Sequence, residues 1–150
     1  MDIQQKQFIT KAVQQAQQAG HIFPVMAACE AALESGYGTS GLAIRGNNLF
    51  GTKQHSHPIF GTLSIPTREF LHEQWVVVNA EWVSYPDQAA CFTDRMATLR
   101  RLAPSYPHYA AALAVTTPQA YIVQVSMTWA TDPGRAGKVL SIYGKYNTDA

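Results

Sequence analysis

Apolar residues recur at helical spacing from the start of the chain. Ile9, Ala12, Val13 and Ala16 form one stripe, which predicts a helix from Ile3 to Ala19. Asp2 can cap its start and Gly20 can end it. Val25, Met26, Cys29 and Leu33 form a second stripe, predicting a helix from about Pro24 to Ser35 that Gly36 stops. From Gly36 to about Pro66 the pattern breaks into Gly, Asn, His and Pro, and reads as one long loop. Thr67 to Leu71 and Trp75 to Tyr85 then read as two strands of a hairpin joined by His72 to Gln74. Helical patterns return after Asp87, at Pro107 to Val115, after Thr117-Pro118 and after Asp132-Pro133. The pattern as a whole predicts one mostly helical α+β domain over residues 1–150, carrying one β-hairpin.

Composition narrows the classes. A chain of 150 residues with 47% hydrophobic content suits one globular domain. A formal net charge of +1 argues against a nucleic-acid binder working through bulk electrostatics. No run of 18 apolar residues occurs, so no membrane insertion is expected. Cys29 and Cys91 lie among alanines and read as packed thiols rather than a disulfide framework. His55 and His57 are close together but lack partners at zinc spacing, so neither a metal nor any other cofactor is expected.

The stretch ESGYGTSGLAIRGNNLFGTK, Glu34 to Lys53, raises a chemical question. Glu34 falls in the last turn of its helix, where the macrodipole disfavours a carboxylate. Apolar neighbours disfavour it too, and both effects favour the protonated form. That is what a general acid near neutral pH requires. The five glycines of the stretch would let a bulky substrate come close. A solvated Glu followed by a glycine stop accounts for the same residues without chemistry.

The stretch resembles the signature of the family 73 glycoside hydrolases, bacterial N-acetylglucosaminidases of cell-wall peptidoglycan. The matching positions are Glu34, Ser35, Gly36, Tyr37, Gly38, Ser40, Asn47 to Gly51, and Lys53. Ala130 to Pro133 is similar to the Ala-Thr-Asp-Pro segment before the last helix of that family, and TREF resembles its Thr-x-Glu-aromatic stretch. The resemblance implies a lysozyme-like fold, with an α-lobe and a β-hairpin lobe flanking a cleft. It implies that Glu34 is the general acid for the β-1,4 bond between N-acetylglucosamine and N-acetylmuramic acid. A muramidase, a lytic transglycosylase and a glycan-binding module that lost catalysis are the competing readings.

Glu69 corresponds to the hairpin carboxylate of the family, with Glu73 and Glu81 as rivals. It is either the base or a supporting group for a substrate acetamido nucleophile. Tyr37, Phe50 and Trp129 are the shortlisted sugar-stacking faces, chosen over Trp75, Trp82 and Tyr143 because they lie in or beside the motifs. Trp129 replaces the usual Tyr, which leaves stacking possible and removes a hydroxyl. Asn47 and Asn48 either bond sugar hydroxyls or hold the loop. Asp132 reads as a helix cap. The expected partner is the peptidoglycan glycan strand, engaged by a monomer at the cell wall. The opening residues lack the regions of a secretory signal. That fits a phage lysin released from the cytoplasm or a hydrolase domain of a longer secreted chain.

Overall fold

The computed structural model describes residues 1–148, except the side chain of Thr67. The chain order is α1 (Ile3–Gln18), α2 (Pro24–Ser35), α3 (Gly41–Gly46), β1 (Gly61–Leu71), β2 (Gln74–Ser84), α4 (Gln88–Leu102), α5 (Pro107–Ala114), α6 (Pro118–Trp129) and α7 (Arg135–Thr148). It is the mostly helical α+β arrangement that the pattern predicts. Three of the side chains read as caps act as caps. Asp2, Asp87 and Thr117 accept hydrogen bonds from the backbone N–H of Gln5, Ala90 and Ala120.

Helix α2 is the hub. Its predicted stripe is too narrow: Ala27, Ala28, Ala31 and Ala32 are buried along with Met26 and Cys29, whereas Val25 and Leu33 are only partly buried. The reason is that α1, α6 and α7 all pack against it, and its alanines let their backbones come close. Cys29 and Cys91 are free, buried thiols, and burial pushes each up to about 12.

The long loop is partly structured. Ser40 Oγ accepts from Ala43 N–H at 3.1 Å and starts α3. Strand β1 begins at Gly61, earlier than expected, because Pro66 reads as a breaker in sequence. In a two-stranded sheet β1 is an edge, where a residue lacking an N–H is tolerated. The strands pair in antiparallel register from Gly61↔Ser84 to Leu71↔Gln74. His72 (φ 50°) and Glu73 (φ 64°) make the two-residue turn, both in the left-handed conformation. On its other side, β2 takes an antiparallel bridge from Lys53 to Trp82.

Candidate active site

Between the helical lobe and the hairpin lies a cleft of about 1020 Å³, and both Glu34 and Glu69 line it. Glu34 reaches it from the penultimate residue of α2. Gly36 (φ 56°) ends that helix in the left-handed conformation, as the glycine stop requires. Buried Ser35 organises the turn that follows, donating to Ala31 O at 2.6 Å and accepting from Gly38 N–H at 2.9 Å. Gly51 (φ 67°) closes in from the other side, so near that a Cβ there would lie 3.9 Å from Glu34 Oε2.

Glu34 is not the isolated acid among apolar groups that the sequence suggests. Its Oε1 accepts from Arg135 Nε at 2.7 Å, while its side chain stays 23% exposed. The Arg135 guanidinium thus stands as a fixed positive charge beside the carboxylate. Arg135 is itself buried. Its Nη1 donates to Ser126 Oγ at 2.9 Å and its Nη2 to Glu30 Oε2 at 2.6 Å. Burial works against the charge of Arg135, yet Glu30 and Glu34 hold its guanidinium above the ordinary value.

Glu30 is fully buried one helical turn before Glu34 and accepts from Arg95 as well. Burial pushes the Glu30 carboxyl up, but Arg95 and Arg135 outweigh it and hold it below the usual range. The Arg95 guanidinium lies 3.8 Å from the centroid of the Trp129 ring and 4.6 Å from that of Phe50. Two carboxylates and two guanidiniums thus form a charge-balanced network on α2, α4 and α7. Arg95, Arg135 and Glu30 were not among the residues singled out from sequence. The available signals were a Glu four residues before Glu34 in an apolar helix and an Arg directly after Ala-Thr-Asp-Pro-Gly.

Glu69 stands on β1, paired to Val76, and forms an ion pair with Lys53 at 2.7 Å. Its rivals lie elsewhere: Glu73 is in the turn and Glu81 opposite Ser64, and neither lines the cleft. Arg68 borders the cleft too, since a twisted two-stranded ribbon brings both faces to one groove.

The sugar-contact shortlist needs correction. Tyr37 (φ 55°) does not line the cleft and packs edge-on against Phe8. Asn47 caps α3 in the left-handed conformation and donates to Tyr85 O at 3.1 Å, also outside the cleft lining. Asn48 is buried, and its amide donates to Thr52 O and Val83 O while accepting from Thr52 N–H. It clips the loop to β2. Phe50 borders the cleft but is fully buried, so it has no face free for a sugar. Trp129 borders the cleft half-buried, with its indole N–H donated to Phe50 O at 2.7 Å. Trp75, left off the shortlist, is 47% exposed in the cleft lining and holds Arg68 over its ring. Asp132, expected as the helix cap, instead closes the turn ahead of α7 by accepting from Gly134 N–H at 2.8 Å, and its bond from Lys138 heads the causes that lower its carboxyl. Among the described residues no group of three His, Cys, Asp or Glu side chains gathers in a metal-binding arrangement.

A helical lobe and a β-hairpin facing each other across a groove, with a carboxylate on each, make up the architecture of a lysozyme-like glycoside hydrolase. Residues 10–148 match the glucosaminidase family, described as mannosyl-glycoprotein endo-beta-N-acetylglucosaminidase, and the chain belongs to that family. Its fold is similar to the catalytic domain of the autolysin Auto from Listeria monocytogenes, at 26% identity and TM-score 0.77 over 98% of this chain and 86% of that one. It is also similar to a C-terminally truncated glycoside hydrolase domain of FlgJ from Salmonella typhimurium, at 26% identity and TM-score 0.71 over 96% and 98% of the two chains. A peptidoglycan hydrolase mutant from Sphingomonas sp. A1 shares the fold, at 22% identity and TM-score 0.79 over 97% and 99%. A comparison with curated proteins finds no match.

Proposed function

We propose that this chain acts as one monomeric catalytic domain that hydrolyses the β-1,4 bond between N-acetylglucosamine and N-acetylmuramic acid in bacterial peptidoglycan. The observation that carries this reading is the pairing of Glu34 from α2 with Glu69 from β1 in one cleft. Glu34 donates a proton to the bridging oxygen as the C–O bond breaks, and N-acetylglucosamine keeps the new reducing end. Glu69, ion-paired with Lys53, is the base that draws a proton from the attacking water. Trp75 and the cleft face of Trp129 offer aromatic surface to the sugar rings.

Similarity to the catalytic domain of an autolysin favours the bacterial wall over the glycoprotein named in the family description. Action is at the cell wall, whether as a phage lysin or as a domain of a secreted hydrolase. No helix among the described residues is long and apolar enough to cross a membrane.

Product ends test the bond. Digested peptidoglycan is reduced with borohydride and read by mass spectrometry. N-acetylglucosaminitol ends are expected, whereas muramitol ends would make the enzyme a muramidase and anhydro-muramic ends a transglycosylase.

A further inference from the structure

We propose that Arg135 is the positioning residue for Glu34, and that buried Glu30 sets the protonation of Glu34 through it. The inference rests on Glu34 being the acid of the reading above.

Geometry assigns the two oxygens of Glu34 different tasks. Oε1 is occupied by the Arg135 Nε–H at 2.7 Å. A proton on Oε1 would meet a donor that has no lone pair. The deliverable proton therefore sits on Oε2, the oxygen beside Gly51. When Oε2 gives its proton to the glycosidic oxygen, the bonding electrons pass to the leaving sugar and Glu34 becomes a carboxylate. Arg135 keeps its own proton and compensates the new charge at once. No solvent rearrangement is needed, because the dipole is already in place.

The aim of Arg135 is fixed from behind. Three of its nitrogens each have a separate acceptor, on Glu34, Ser126 and Glu30. A lysine at this position could not satisfy that fork. Glu30 is shared between Arg135 and Arg95, so its charge decides how much of the Arg135 positive charge is left for Glu34. Other charged groups line the cleft: Arg68 and the Lys53–Glu69 pair from the hairpin side, Arg101 from α4, and the Asp132–Lys138 pair beside α7. His55, Tyr106 and Tyr109 complete the titratable lining. Of these, Tyr109 also feels the charge of fully buried Glu30.

The sign follows. Replacing Glu30 by Gln keeps its shape but removes a negative charge. Arg135 then acts on Glu34 with less competition, the carboxylate form gains, and Glu34 gives up its proton at lower pH. A general acid must be protonated to work, so the alkaline limb of the activity profile should move down with it.

The test is a carboxyl carbon NMR titration of Glu34 in wild type and Glu30→Gln, run beside kcat and KM profiles on soluble peptidoglycan fragments. The Glu34 midpoint and the alkaline limb should both fall by about one pH unit, with KM within about twofold. A folded Glu30→Gln protein with an unmoved Glu34 midpoint overturns the proposal. A midpoint that shifts in Glu30→Gln, while the wild type cleaves no peptidoglycan, refutes the substrate reading and leaves the coupling standing. If Glu30→Gln does not fold, Ser126→Ala decides. It should lower kcat several-fold at constant KM and speed exchange of the Arg135 Nε–H, and Ser126→Thr should restore both. An unchanged kcat and Nε–H exchange in Ser126→Ala would equally overturn the proposal.

Discussion

Phe70 and Thr131 join the two lobes: the Phe70 backbone N–H in β1 donates to Thr131 Oγ1 at 2.8 Å. Thr131 lies in the Ala-Thr-Asp-Pro segment, so the bond ties the hairpin to the entrance of α7. A two-stranded hairpin is marginal alone, and this contact holds it against the helical lobe.

Thr131→Val removes that acceptor and keeps the branched shape. We predict faster hydrogen exchange at the Phe70 amide, with the fold weakened by no more than about 1 kcal/mol because the bond is exposed. Amide exchange read by NMR checks this. Equal protection in the two proteins would show that the hairpin is held by other contacts.

Asn48 is expected to matter for the fold rather than for sugar binding. Asn48→Ala leaves the Thr52 N–H and the Thr52 and Val83 carbonyls without their buried partner. The loss should be about 2–4 kcal/mol. Denaturant unfolding measures it, and KM of the folded fraction should not move. A stable variant with a raised KM would return Asn48 to the sugar site.

Helix boundaries were legible because their signals are local. Asp2, Asp87 and Thr117 cap the first turn within three residues, and Pro24, Pro107 and Pro118 stand at helix starts. The Glu34 motif, the hairpin and Glu69 were legible for the same reason, each being a short contiguous pattern. The first half of β1 was not, since its residues become strand only by pairing with β2. The buried charges were not legible either. Glu30 meets Arg95 and Arg135 across 65 and 105 residues, and its apolar helix marks it locally without naming those partners. Asn48 was left between two roles and Phe50 was read as a sugar face because a motif residue that builds a site reads the same as one that touches substrate.

His21 should make the fold acid-sensitive. Its Nδ1 accepts from Phe23 N–H at 2.9 Å, so the neutral ring carries its proton on Nε2, facing Tyr121 Oη at 3.2 Å. Burial, first among the causes, lowers it from 6.5 to about 4. The unfolded chain therefore binds a proton that the folded chain refuses between these values. Stability is full above pH 6.5 and falls as pH drops toward 4, by up to about 3 kcal/mol. Denaturant titrations across this range should show the loss in wild type and a flatter profile in His21→Gln. Equal slopes would mean that other groups cause the acid sensitivity.

Glu69 carries a prediction about stereochemistry. If it is the base, Glu69→Gln should lower turnover at least about a hundredfold with little effect on glycan binding, and the wild-type product should have inverted anomeric configuration. Lys53→Met should weaken turnover less, because it removes only the partner of the base. Anomer-resolved NMR on a fresh digest reads the configuration. A retained product would instead assign the nucleophile to the substrate acetamido group.

The central claim is that Glu34 is the proton donor, and turnover of purified peptidoglycan by Glu34→Gln measures it most directly. Gln keeps the volume and can still accept from Arg135 Nε, so the melt should change little. Wall hydrolysis should fall by about a hundredfold or more. A folded Glu34→Gln protein that hydrolyses the wall at a rate comparable to wild type would contradict the account.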